Sequence, residues 1–185
     1  ETGGQNAMIV DSSALTEQVI DDVILSAFGS AGQRCSACRI LFVQEDVLDK
    51  TILMLQGAMQ ELTIGNPLHL ISDVGPLIDE TALLNMQHHK TKLSGVGHKI
   101  AETTVEEDLT NQGHYFAPLA YQIDGLEILE EEVFAPILHV IPFKSNEVDV
   151  VIEGINSMGF GLTFGIHSRI QSFITKVTSR IKCGN

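Results

Sequence analysis

Short apolar runs alternate along this chain with longer stretches in which apolar residues recur every three or four positions. Asn6-Ala-Met-Ile-Val10 is the first run, and the Asp-Ser-Ser that follows it reads as a strand leading into a helix cap. Over Thr16–Phe28 the apolar Val19, Ile20, Val23, Ile24 and Ala27 share one helical face, with Asp21 and Asp22 on the other. Residues 39–44 (Arg-Ile-Leu-Phe-Val-Gln) predict the next strand, and 46–62 the next helix, with Val47, Ile52, Leu55 and Met59 turned inward. Ile64-Gly-Asn-Pro67 interrupts the pattern. A helix over 79–94, a strand over 99–103, a polar loop over 106–113 and a strand-like segment over 116–123 follow. A buried strand over Ile137–Phe143, a helix over 148–158, a strand-like 161–167 and a helix over 171–181 complete the series. This alternation predicts an α/β fold, a largely parallel twisted sheet flanked by helices, without internal repeats or low-complexity linkers.

Composition narrows the function classes. A chain of 185 residues that is 44% hydrophobic has the material for one domain with a full core. Its 11 basic and 24 acidic residues give a net charge of -13, which opposes binding to phosphate backbones and anionic membranes, so no nucleic-acid role is expected. No apolar run approaches the roughly 20 residues of a membrane span, and no secretory leader opens the sequence, so a cytoplasmic protein is expected. Three cysteines without such a leader argue for reduced thiols. The first residue is not Met and the last four, Lys182-Cys-Gly-Asn185, directly follow a helical pattern. The sequence therefore reads as an excised piece, with a partner segment expected on each side.

Candidate chemistry concentrates in Phe28-Gly-Ser-Ala-Gly-Gln-Arg-Cys-Ser-Ala-Cys-Arg39. There Cys35 stands beside Arg34 in a glycine-bearing loop between a helix and a strand. A thiol attacks as its thiolate, and a neighbouring cation favours that form, which makes Cys35 a candidate nucleophile. Glu1, at the head of Glu1-Thr-Gly-Gly, supplies a carboxylate one strand and one helix upstream. Cys35-Ser-Ala-Cys38 also satisfies the spacing of a redox dithiol or half a zinc site. No second such pair exists and the nearest histidine in sequence is His69, so no metal site is expected. A thioredoxin-type dithiol belongs at a helix start after a strand, whereas this pair follows a helix and enters a strand. Cys38 is expected in the core. The seven histidines, His88 and His89 among them, fit no ligand spacing and are assigned to surface or satisfied core positions.

Four motifs carry a family resemblance. Glu1-Thr-Gly-Gly-Gln-Asn6, Gly32-Gln-Arg-Cys35, Glu131-Glu-Val-Phe-Ala-Pro136 and Gly161-Leu-Thr-Phe-Gly165 stand in an order and spacing similar to the aldehyde dehydrogenase superfamily. The wording around the first two resembles the dehydrogenase part of the bifunctional proline utilization A family, a proline dehydrogenase fused to a pyrroline-carboxylate (glutamate semialdehyde) dehydrogenase. The resemblance runs along nearly the whole chain. It implies that residues 1–185 are the nucleophile-bearing catalytic domain, truncated at both ends, without the dinucleotide-binding domain. Ala135 departs from the pattern, standing where glycine is usual before Pro136.

What the resemblance implies for chemistry is an NAD-dependent oxidation of L-glutamate γ-semialdehyde to L-glutamate. Cys35 would form a thiohemiacetal and then a thioester, and Glu1 would activate water to release the acid. Gln33 and Arg34 would shape the nucleophile loop, with Arg34 and Ser36 on the substrate side; Ser36 is similar to a serine that contacts the substrate carboxylate. Glu132 would accept hydrogen bonds from the nicotinamide-side ribose, and Phe134 would pack near the nicotinamide ring. The choice between NAD and NADP is left open. The longer parent is expected to carry FAD in its proline dehydrogenase domain and to be a homo-oligomer. The fragment alone is expected to be inactive, with an apolar face where the missing domain docks. Two other readings stand beside this one: a dithiol redox or regulatory module on Cys35 and Cys38, and a structural or assembly domain of a larger enzyme.

Overall fold

The computed structural model describes residues 3–185. Six strands form one sheet in the order β3-β4-β5-β2-β1-β6, comprising β1 (Asn6–Val10), β2 (Cys38–Gln44), β3 (His98–Glu102), β4 (Leu119–Gln122), β5 (Ile137–Phe143) and β6 (Phe164–His167). Every neighbouring pair is parallel except β3 with β4. The central strands β1 and β2 are buried at every position, which is why they read as unbroken apolar runs rather than as alternation. Pro142 in β5 lies beyond the last β4 pairing, Gln122 with Val140, where no neighbour on that side needs its missing N–H.

Helices α1 (Thr16–Phe28) and α2 (Glu45–Gln60) pack against each other and against β2. Val19, Ile20, Val23 and Ala27 of α1 and Leu55 and Met59 of α2 are buried, as their spacing predicts. Helix α3 (Glu80–Val96) starts on Asp79, whose carboxylate accepts the Ala82 N–H at 2.8 Å. Asn156 of helix α5 (Val148–Ser157) donates through Nδ2 to the carbonyl of Arg180, two residues past the end of helix α6 (Gln171–Thr178), at 3.0 Å.

Several segments depart from the pattern: the strand expected over 161–167 begins only at Phe164, and the helix expected over 171–181 ends at Thr178. The polar stretch 106–113 contains a one-turn helix, α4 (Glu107–Thr110), too short to show a period. The strand expected over 116–123 is confined to Leu119–Gln122, because Pro118 has no N–H to enter the ladder and instead accepts the Thr103 N–H at 3.0 Å.

Candidate functional site

The four motifs meet at one edge of the sheet. Each lies immediately ahead of a strand: residues 3–5 before β1, 32–37 before β2, 131–136 before β5 and 161–163 before β6. Since β5, β2, β1 and β6 are adjacent and parallel, their starts lie side by side. The site thus sits at the amino ends of the strands, opposite to the carboxyl-end crevice usual for open α/β sheets.

The approach to Cys35 is a left-handed turn. Ser30 (φ 56°), Ala31 (φ 53°) and Gly32 (φ +65°) are consecutive residues at positive φ, and the first two lack the glycine that makes this region free of cost. A Cβ on Gly32 would overlap the Ala135 carbonyl, so glycine is required there for contact as well as for conformation. The turn closes with Gln33 N–H donating to the Ser30 carbonyl and Ala37 N–H to that of Arg34, both at 3.0 Å. Cys35 is exposed at its apex.

Side chains from neighbouring strand entrances hold this turn. Asn6 Nδ2 donates to the carbonyls of Cys35 (2.6 Å) and Ala37 (2.9 Å), while its Oδ1 accepts the Thr163 N–H at 3.1 Å. Gln33 reaches the other way, its Nε2 donating to the Pro76 carbonyl at 3.2 Å and its Oε1 accepting the Ile78 N–H at 2.8 Å. Arg34 turns back to α1, where Nη2 donates to the Leu25 carbonyl at 2.9 Å, as a basic residue at a helix C-terminus does. Arg34 and Ser36, two residues apart in the turn, line one groove of about 660 Å³ with Gln18, Asp22 and His167, a groove that Cys35 between them does not line. His167 Nε2 lies 3.3 Å from Asp22 in that groove. Burial holds His167 below its ordinary pKa, with Asp22 pulling the other way.

The 131–136 segment closes the opposite side. Glu132 Oε1 accepts the Gly4 N–H at 3.0 Å, and Gln5 Nε2 donates to the Glu131 carbonyl at 2.6 Å. Gly4 also lies against the thiol turn: a Cβ there would come within 2.7 Å of the Cys35 carbonyl oxygen. Glu1, the predicted base, lies outside the described residues, but the glycines that follow it run between Cys35 and Glu132. Phe134 is 39% exposed, with the Arg39 guanidinium carbon 5.2 Å from its ring centroid. Phe134 thus leaves part of its ring exposed, two residues from the Glu132 carboxylate. Ala135 is fully buried and is absent from the residues at positive φ, so its backbone suits alanine and the departure from glycine costs nothing there.

Two residues of this site escape sequence reading. Arg39 and Asn6 are buried polar side chains whose partners are mostly backbone carbonyls. The available signal for the first is an arginine heading the otherwise apolar run Ile40-Leu-Phe-Val43.

Cys38, by contrast, is buried as expected. Burial pushes its thiol up to about 12, and Sγ donates to the Ile40 carbonyl at 3.5 Å. No disulfide links it to Cys35. Among the described residues no group of three or more His, Cys, Asp or Glu is placed to hold a metal ion. No helix of the described residues is long and apolar enough to cross a membrane.

Comparison with known proteins agrees with this fold. The family model "Aldehyde dehydrogenase family" matches residues 1–185. The chain is 48% identical over 189 residues to the bifunctional protein PutA of Klebsiella aerogenes, covering all of this chain and 14% of that protein. It is 28% identical over 187 residues to a 1-pyrroline-5-carboxylate dehydrogenase of Geobacillus thermodenitrificans, covering all of this chain and 35% of that protein. A crystal structure of a Bradyrhizobium japonicum proline utilization A (PutA) mutant superposes with a TM-score of 0.95 at 44% identity, covering all of this chain and 18% of the other. The chain thus spans about a seventh of the length of the bifunctional relatives it matches.

Proposed function

Because the chain belongs to the aldehyde dehydrogenase family, we propose that it is the nucleophile-bearing catalytic domain of an L-glutamate γ-semialdehyde dehydrogenase within a longer proline-catabolic enzyme. The observation that carries this reading is the convergence of the exposed Cys35 turn, the Gly3-Gly4 run and the Glu132–Phe134 segment at adjacent strand starts. A dinucleotide-binding domain is assigned to another part of the longer protein, and FAD to its proline dehydrogenase part. A cytoplasmic, homo-oligomeric parent belongs to the same reading.

In this mechanism the Cys35 thiolate adds to the aldehyde carbon, forming a C–S bond and leaving the electron pair of the C=O bond on oxygen. The backbone N–H of Cys35 supplies one donor to that oxygen. NAD, when bound, would supply the hydride acceptor for the tetrahedral carbon, whose oxidation leaves a thioester on Cys35. Glu1 removes a proton from water, which attacks the thioester; the C–S bond breaks, the acid leaves and the thiolate returns. Ser36, with Arg34 in the same groove, receives the substrate carboxylate. Glu132 would hold the ribose hydroxyls of that group, and Phe134 would pack near its nicotinamide ring.

The test is NADH formation from glutamate semialdehyde by the full-length protein, comparing wild type with Cys35→Ala and Glu1→Gln. The expected result is no turnover in the first and a slowed hydrolytic step after a burst of NADH in the second. Undiminished turnover in Cys35→Ala would overturn the thioester mechanism. The dithiol reading is disfavoured by the burial and raised pKa of Cys38, which leave Cys35 without an accessible partner thiol.

A further inference from the structure

Arg39 is the second residue of β2 and is 0% exposed. Its guanidinium donates to backbone carbonyls on both sides of the site. On the thiol side Nη1 donates to the Gly32 carbonyl and Nη2 to that of Arg34, at 3.0 Å for the latter. On the other side Nη1 also reaches the Ala135 carbonyl at 3.4 Å, Glu132 Oε1 lies 3.8 Å from Nη2, and the Phe134 ring stacks over the group. Burial pulls its pKa down to about 10, with Glu132 opposing that shift, so the charge persists at neutral pH.

A buried charge is a poor device for stability alone, because desolvation offsets much of what its contacts return. A guanidinium, however, is a rigid planar fork, and its donors fix the separation of the groups they hold. Here those groups belong to residues one and three places before Cys35 and, on the other side, to Glu132, Phe134 and Ala135.

We propose that Arg39 is a positioning residue that couples the Cys35 turn to the Glu132–Phe134 segment, so that the two move as one body. The reason such a spacing matters, thiol to nicotinamide, rests on the function proposed above; the coupling itself does not.

The test therefore uses neither aldehyde nor NAD. In the full-length protein the rate of Cys35 alkylation by iodoacetamide is followed by peptide mass spectrometry, with exposed Cys183 as the internal reference. Phe134→Leu removes the ring over the guanidinium without altering the thiol turn. It is expected to change the Cys35 rate, relative to Cys183, by about threefold or more, the size of coupling usual between residues sharing a network. In an Arg39→Lys background the same substitution is expected to change nothing further. No effect of Phe134→Leu in the wild-type background, or equal effects in both, would overturn the proposal. Should Arg39→Lys fail to fold, Arg39→Gln takes its place as the second background, and a Phe134→Leu change without effect in the wild-type background still overturns the proposal. Failure of the semialdehyde assay would leave this outcome readable, and the reverse also holds.

Discussion

The side-chain amide of Asn6 meets the carbonyl of Cys35 at 2.6 Å, so the residue that opens β1 fixes the backbone of the turn that opens β2. With its bonds to Ala37 and Thr163, one buried amide ties together the entrances of three adjacent strands. Asn6→Ala leaves those partners without their donor or acceptor, and each buried group stranded this way costs about 1–3 kcal/mol. The expected outcome is a loss of about 2–4 kcal/mol in urea denaturation. A loss below about 1 kcal/mol would show that the turn finds other donors.

Opposite signs are expected at two neighbouring positions of the left-handed turn. Gly32→Ala meets both positive φ and the Ala135 carbonyl, and should destabilise by more than about 3 kcal/mol or prevent folding. Ser30→Gly relieves an exposed residue held at φ 56° and should raise stability by up to about 1 kcal/mol. Thermal unfolding of the pair checks both; destabilisation by Ser30→Gly would contradict the assigned backbone.

The predicted pH response comes from a histidine pair. His139 is fully buried, with Nδ1 2.9 Å from the Arg39 carbonyl and Nε2 2.9 Å from Nε2 of His89 on α3. The carbonyl only accepts, so His139 Nδ1 carries its proton and His89 donates to His139 Nε2. Burial is the main cause that lowers His139 to about 3 and His89 to about 4 from the ordinary 6.5. Nearby charge adds to it, from His89 and Arg39 on the first and Lys92 on the second, while the bond to the Arg39 carbonyl opposes the shift in His139. Below pH 6.5 the unfolded chain binds protons that the native pair refuses. Stability is thus complete above 6.5 and is lost as the pH falls toward 4 and 3. The urea midpoint should fall between pH 6.5 and 5, and a His89→Gln/His139→Gln variant should flatten that limb. An equally steep limb in the variant would exclude the pair as its cause.

Thiol accessibility gives a further expectation. Cys35 and Cys183 are exposed, whereas Cys38 is buried with its pKa pushed to about 12. Iodoacetamide applied to native protein should label two cysteines, and the third only in denaturant. Native labelling of Cys38, or a reversible Cys35–Cys38 disulfide under mild oxidation, would restore the dithiol reading.

The regular elements were legible because burial imposes a period. The bounds of β1, α1 and β5 agree with the pattern, since continuous apolar runs mark strands covered on both faces and the 3.6-residue spacing marks α1. The turn of α4 was hidden because four residues cannot display a period. At the site, Cys35, Arg34, Ser36, Glu132 and Phe134 are the residues the motifs single out, and the structure brings the motif segments together. Their roles in turnover remain with the proposed mechanism. Asn6 and Arg39 went unseen because a backbone carbonyl leaves no trace in sequence: any residue can supply one, so a side chain whose work is to hold carbonyls has no partner to pair it with.

The sheet edge that gathers the four motifs also acts as a ruler. Along it the order is 131–136, 32–37, 3–5 and 161–163, which is not the order along the chain. Lateral distance between the reacting groups is thus set by strand spacing, about 4.8 Å per step, and not by the number of residues between them. Length changes at the far ends of the strands, where chain leaves β1, β2 or β5 for its helix, should be absorbed without moving the site. A single residue inserted between Cys35 and Cys38 would instead shift the thiol along a fixed scale, which makes the few positions between each motif and its strand the least elastic part of the molecule.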